Sequence, residues 1–229
     1  MKSKNSRDSA RLPLTDRQLD VLRPSDLKQR RLTNEEMARL KKINEARRQE
    51  QAQRFARLRA EQAVLLADLR KAGCNIESIW DLVNTSERYP EAIPILLRHL
   101  RLPYSDRTLE GIARSLAVPE VAVSNAWPDL VEAYRKAPMG KGPIAPGETR
   151  EYELGAKDGL ACALAASVTD DRLTDLIALA NDRSLGDSRL LLLSALRKRR
   201  RKNKQAEQAI AELASDPALG KEIASWGKR

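Results

Sequence analysis

The sequence predicts an all-α fold made of repeated helical pairs, on three observations. An apolar pattern recurs at an offset of 80 residues: Ile93, Leu96, Leu97 and Leu100, then Ile112, Ala113 and Leu116, return as Leu173, Leu176, Ile177 and Ala180, then Leu192, Leu193 and Leu196. The spacing i, i+3, i+4, i+7 followed by i, i+1, i+4 is that of two short amphipathic helices joined by a tight turn. Aromatic residues make up 3% of the chain, with Phe55 the single phenylalanine, so aliphatic residues and alanine must fill the core, which suits close packing of short helices. No convincing run of alternating apolar and polar residues predicts a sheet. A pair of this size cannot bury its stripe alone, so such pairs stack on neighbours as a solenoid, here of about four pairs. That architecture presents surface rather than a catalytic pocket.

Residues 1–32 read as a basic, largely disordered segment. Residues 1–14 lack periodicity, and Thr15 with Gln18 forms a capping box that opens a short helix ending before Pro24. Thr33 and Glu36 form a second box, which opens a long basic helix over residues 33–73. No glycine or proline interrupts Asn34 to Ala72, and Gly73 stands where a C′ glycine belongs. At ~1.5 Å per residue it would run roughly 58 Å. Phe55, Leu58, Leu65, Leu66 and Leu69 equip its second half to dock on and cap the solenoid. Arg47 to Arg54 offers little to bury, so the first half is expected to project into solvent or onto a partner, a second copy included. Its a/d pattern is not sustained for three heptads, which argues against a long coiled coil.

Residues 74–229 then form the helical-repeat domain. A short helix around Ile76–Val83 carries Trp80 and is capped by Asn75. The first pair spans 90–101 and 106–117, with Pro90 near its start and Ser105 or Asp106 capping the second helix. The second spans 120–136 and 153–168, separated by Met139–Thr149, whose glycines and prolines cannot continue a helix. The third spans 170–181 and 186–200, with Thr169 as first cap. A terminal pair, 204–214 and 217–226, starts its last helix at Asp216–Pro217.

The first unit, YPEAIPILLRHLRLPYSDRTLEGIARSLAV, carries proline near its start, a Leu96–Leu97 pair, a turn closed by Asp106, and Arg107, Ala113 and Leu116 in its second helix. The third, DDRLTDLIALANDRSLGDSRLLLLSAL, repeats this with Asp187 and Arg189 but without the proline. These features resemble the HEAT-repeat family over roughly residues 88–227. The resemblance implies a right-handed HEAT-like α-solenoid that serves as a protein-binding scaffold and, in a minority of such arrays, as a nucleic-acid holder.

Charge is unevenly placed. The chain carries a net +10, but residues 1–70 hold 18 basic and 10 acidic groups, residues 71–196 hold 14 and 18, and residues 197–229 hold 10 and 4. Basic ends therefore flank a mildly acidic body, a layout that permits attraction to nucleic acid, an anionic membrane or an acidic partner without choosing among them. Seven of the eight positions from Arg197 to Lys204 are cationic (Arg197, Lys198, Arg199, Arg200, Arg201, Lys202, Lys204). One or two suffice to complement a helix C-terminus, so the remainder form a candidate contact. Without interleaved aromatics, any nucleic-acid contact would be to phosphates. Arg107, Glu110 and Arg114 lie on the second helix of the first unit, opposite Leu109, Ile112 and Leu116, and are a candidate recognition stripe. Trp80, Trp127 and Trp226 read as packing residues rather than binding anchors.

Catalytic and metal chemistry find no foothold. His99, the single histidine, reads as a partly exposed helical residue, and no GxSxG, Walker A, GxGxxG or HExxH string occurs. Cys74 and Cys162 lack metal-ligand spacing and read as reduced core residues. No cofactor is expected. With no signal peptide and no run of 18 apolar residues, the expectation is a cytoplasmic protein without a membrane span. The leading function is a non-enzymatic adaptor binding a protein partner through its concave face. The alternative is a nucleic-acid-binding repeat protein using the basic N-terminal segment and the 197–204 cluster.

Overall fold

The computed structural model describes residues 12–23, 25–26 and 31–226, and helices dominate it. Residues 1–11, expected to be disordered, lie outside the described residues, as do Pro24 and residues 27–30. Contacts divide the chain into two units, Met1–Phe55 and Ala56–Arg229. The division falls inside the long helix rather than at Gly73, so each half of that helix has its own partners.

In the first unit, α1 (Asp16–Asp20) and α2 (Asn34–Glu61) both start at the predicted capping boxes. Thr33 Oγ1 accepts the Glu36 N–H at 3.2 Å, and the Glu36 carboxylate accepts the Thr33 N–H at 2.9 Å. The same buried carboxylate takes the Leu14 N–H at 2.8 Å. Leu14, Leu19 and Leu40 form a small core edged by Leu22, Leu32 and Ile43. Arg39 reaches Asp16 at 3.0 Å and Arg47 reaches Asp20 at 2.6 Å. The first half of the long helix is thus no bare projection: the α1 segment covers part of it, and Leu14 is anchored rather than disordered.

In the second unit, α3 (Ala63–Lys71) continues α2 after an irregular residue, Gln62, with ψ −4°. The flanking helical bonds from Gln62 to Leu58 and from Leu66 to Gln62 survive, both at 2.9 Å, so helical hydrogen bonding continues across this residue. Gln62 is buried, with its amide nitrogen 3.2 Å from Thr108 Oγ1 and its amide oxygen 3.4 Å from the Ile79 N–H. Gly73 closes α3 at φ +89°, where a side chain would be strained. Its N–H donates to the Arg70 carbonyl and the Cys74 N–H to the Leu69 carbonyl, both at 3.0 Å, a Schellman closure. Leu58, Leu65, Leu66 and Leu69 are buried as expected, but Phe55 is 59% exposed. It is the last residue of the first unit, three positions before the first buried leucine of the second, Leu58.

Next, α4 (Ile79–Asn84) starts three residues later than expected, and its cap is Ser78 rather than Asn75. Ser78 Oγ accepts the Trp80 N–H at 3.3 Å while Asp81 accepts the Ser78 N–H at 3.0 Å.

The repeat then follows in register. A 3-10 turn at Pro90–Ala92 leads into α5 (Ile93–His99), and one at Asp170–Arg172 leads into α10 (Leu173–Asn181), so both turn and helix begin 80 residues apart. Burial matches position by position: Leu97 and Ile177 are half-buried, and the other six pairs are fully buried. The second helices are α6 (Asp106–Ser115) and α11 (Arg189–Arg199). Between the two copies lie α7 (Val121–Asn125), α8 (Trp127–Lys136) and α9 (Ala156–Ser167), and α12 (Lys204–Leu213) with α13 (Gly220–Ser225) follows α11. The helix expected over 120–136 breaks at Ala126, because Pro128 has no N–H and its ring would strike the carbonyl four residues back. Thr169 stands at the N-cap but makes no capping bond, whereas Asp216 accepts the N–H groups of Ala218 and Leu219.

Within this unit α4 packs on α6, α6 on α9, α9 on α11 and α11 on α12, while α8 lies against α9, and α10 against α11 and α12. One core runs continuously from Leu65 to Trp226. The central helix α9 is rich in small residues, with Ala161, Ala163 and Leu164 fully enclosed.

The Met139–Thr149 connection is more ordered than a simple break. Strand β1 (Lys141–Gly142) pairs antiparallel with β2 (Tyr152–Glu153), a short ladder the periodicity did not announce. Ala145 is buried, and the Ile144 carbonyl accepts the Arg107 N–H at 3.1 Å, fixing the hairpin to the start of α6. No helix among the described residues is long and apolar enough to cross a membrane.

Because the core of the second unit begins at Leu65 and that unit at Ala56, a fragment beginning at Gln53 is expected to keep its helical circular dichroism and one cooperative thermal transition. A broad, non-cooperative melt would show that residues 1–52 are needed to complete that core.

Candidate functional site

Three surfaces of the second unit carry the chemistry, and the predicted stripe on α6 is the first. Arg107 and Arg114 are partly exposed, but Glu110 between them is only 8% exposed. It accepts from Arg107 at 2.7 Å and from Arg114 at 2.8 Å. The Arg107 guanidinium also lies 3.7 Å from the centroid of the Trp80 ring. Glu110 packs under Gly155, where any Cβ would strike its carboxylate. The stripe is therefore a clamp that fixes two arginines around an interior carboxylate, not three groups offered to solvent. Beside it, burial raises the half-buried Asp158 carboxyl above its ordinary range, opposed by Arg114 and assisted by Glu110, Asp106 and Asp187.

Around the same helix, polar groups serve as remote caps. Glu61 accepts from the Ser105 N–H and hydroxyl, each at 2.7 Å, and from Thr108 Oγ1 at 2.5 Å, so the end of α2 caps α6. Of the two candidate caps of α6, Ser105 holds the N-cap position, while Asp106 accepts the N–H groups of Gly155 and Ala156 at 2.8 and 3.1 Å and caps α9. Lys157 is buried with its ammonium on the carbonyls of Tyr134 and Ala137, both at 3.0 Å, which closes the C-terminus of α8. Desolvation holds its pKa below the usual lysine value.

His99 is buried rather than partly exposed. Its Nε2 lies 3.1 Å from Asp68 and its Nδ1 2.7 Å from the Tyr104 hydroxyl, so both ring nitrogens are engaged. The His99 hydrogen bond is the chief cause of the lowered Asp68 pKa, with Arg98 adding to it.

The second surface is a groove of about 880 Å³ built from the α5–α6 turn, α8, the β1 hairpin and the start of α9. Leu100, Leu109, Ala133, Met139, Leu154 and Leu160 give it an apolar lining. Its rim charges are internally paired: Arg101 with Asp129 at 2.6 Å, Lys136 with Glu132 at 2.5 Å, and Lys141 with Glu153 at 3.6 Å. Sequence periodicity could not locate it, because four separate segments contribute to one wall or another.

The third surface is the basic corner from the end of α11 to the start of α12, and the structure sorts its seven cations. Arg199 turns inward, donating to Asp170 at 3.1 Å and to the Val168 carbonyl at 2.6 Å at the end of α9, so it is a bridging group. Arg197 and Arg200 lie 5.0 and 5.9 Å from the ring centroid of the buried Trp226, whose indole N–H donates to Glu222 at 2.8 Å. Lys198, Arg201, Lys202 and Lys204 are exposed and have no ion pair among the described residues. Cys74 and Cys162 are free thiols, each with its pKa raised chiefly by burial.

Compared with known proteins, the chain matches no family model, no curated protein sequence and no solved structure.

Proposed function

We propose that this chain is a non-enzymatic helical-repeat adaptor that binds a protein partner, and that its second unit is a HEAT-like right-handed solenoid. The solenoid reading is supported by the neighbour-to-neighbour packing of second helices and by turns and helices that begin 80 residues apart. The observation that carries the binding reading is the groove. Its volume and apolar lining suit a few large side chains of a partner segment, and its rim pairs leave no net charge to demand an ionic ligand. The acidic group at its edge, Asp106, is committed to two backbone N–H groups and serves structure rather than proton transfer. Arg107 and Arg114, held by Glu110 and Trp80, do not line the groove and are a separate, preorganised candidate contact.

A photo-crosslinking residue at Met139, an exposed position on the groove wall, is expected to capture a discrete protein from native extract. Met139→Glu should reduce affinity for that protein at least tenfold while leaving folding stability within about 0.5 kcal/mol, as for other exposed substitutions. Unchanged affinity in Met139→Glu would remove the groove from consideration as the binding surface.

A further inference from the structure

The exposed cations between the end of α11 and the start of α12 are more numerous than the fold uses. Of the seven cations, Arg199 serves the Val168 carbonyl at the end of α9, and Arg197 and Arg200 are seated over Trp226. Lys198, Arg201, Lys202 and Lys204, within seven consecutive positions, are exposed and have no ion pair among the described residues. Concentrating them raises the local positive potential and costs self-repulsion that only an anion offsets. We propose that this corner is a contact site for the phosphate backbone of a nucleic acid.

Two features favour phosphates over an acidic protein. Protein interfaces are depleted of lysine and organised around a buried apolar anchor, whereas nucleic-acid interfaces are strongly positive. The one aromatic at this corner, Trp226, is 6% exposed and overlaid by two guanidinium groups, so it offers no anchor to a protein and no open face for a base. Contact is therefore to the backbone and independent of sequence. Arg197 and Arg200, restrained over the indole, present planar donors with less conformational freedom left to lose, and the four exposed cations add further positive charge in the same stretch of chain. The site does not depend on the groove reading, since none of its residues lines the groove.

The test uses the full chain and fluorescein-labelled 20-mers of duplex DNA and single-stranded RNA, followed by anisotropy from low to moderate salt. Wild-type protein is expected to bind at least one of them, with log affinity falling linearly against log salt. Changing Lys198, Arg201, Lys202 and Lys204 together to Gln should weaken that binding at least tenfold and lower the duplex slope by about 0.9 for each phosphate that is no longer neutralised. Thermal unfolding of the variant should match wild type. A Lys41→Gln, Lys42→Gln variant in the first unit should retain most of the affinity. Absence of binding by wild type, an unaltered slope in the α11 variant, or competition by poly-L-glutamate as effective as that by unlabelled nucleic acid would each overturn the proposal, the last in favour of an acidic protein.

Discussion

Replacing Arg189 with methionine is expected to cost about 3–5 kcal/mol of folding stability, the range for removing one partner from a buried ion pair. Arg189 is 3% exposed and spends its donors on three elements. Its Nε donates to the Gly186 carbonyl at 2.9 Å, one Nη to the Ala180 carbonyl at 2.9 Å, and the fork to Asp216 at 3.2 and 3.5 Å. The loss would orphan a carbonyl in the last turn of α10 and leave Asp216 with the exposed Arg183 and two backbone N–H groups. Arg189→Lys should recover only part of the loss, because a single ammonium cannot reproduce the fork. The pair also sets a direction in pH. The Arg189 hydrogen bond, with two backbone N–H groups, holds the Asp216 carboxyl below its ordinary range. Its stabilisation is complete above the unfolded carboxylate pKa and disappears as pH falls through the lower folded value. Arg189→Met should therefore unfold at a higher pH than wild type in an acid titration. Urea midpoints at neutral pH measure the main effect, and a midpoint within error of wild type would refute the bridging role.

What was legible in the sequence was what local period encodes. The offset of 80 residues holds between the starts of the two first helices, though each opens as a 3-10 turn and becomes α-helical three residues later than expected, and the Thr15, Thr33 and Gly73 signals marked ends that the structure keeps. What escaped were side chains whose partners lie far along the chain. Glu61 caps a helix more than forty residues on, Asp106 caps α9 rather than α6, and Glu36 binds the backbone of Leu14. Each residue type fits its role, since carboxylates belong at helix N-termini. No spacing rule says which N-terminus.

The candidate site shows the same division. A run of cations is visible in a sequence, but its sorting into an inward Arg199, two arginines over Trp226 and four free groups depends on which face of α11 meets α9 and α13. Arg107 and Arg189 both followed the family-like pattern and yet do different work, one lying over Trp80 and the other holding α10 to Asp216. The groove had no linear signature, because Leu109, Ala133, Met139 and Leu154 come from different elements.

The repeat itself makes the second large prediction, which concerns a pattern of costs rather than one residue. Leu96 and Leu176 are both fully buried at equivalent positions, and truncation of either to Ala should cost roughly 2–5 kcal/mol through reduced burial and the cavity left behind. Leu193, buried at the position equivalent to Ala113, belongs to the same class. Their neighbours Leu97 and Ile177 are half-buried, so Leu97→Ala and Ile177→Ala should each cost distinctly less. A large effect must therefore be followed by a small one at the next residue, and the same alternation must return 80 residues later. Chemical denaturation of the four single variants measures it directly. If Leu97→Ala proved as costly as Leu96→Ala while Ile177→Ala did not, the two copies would pack differently. Their shared periodicity would then reflect helix formation alone rather than a repeated structural unit.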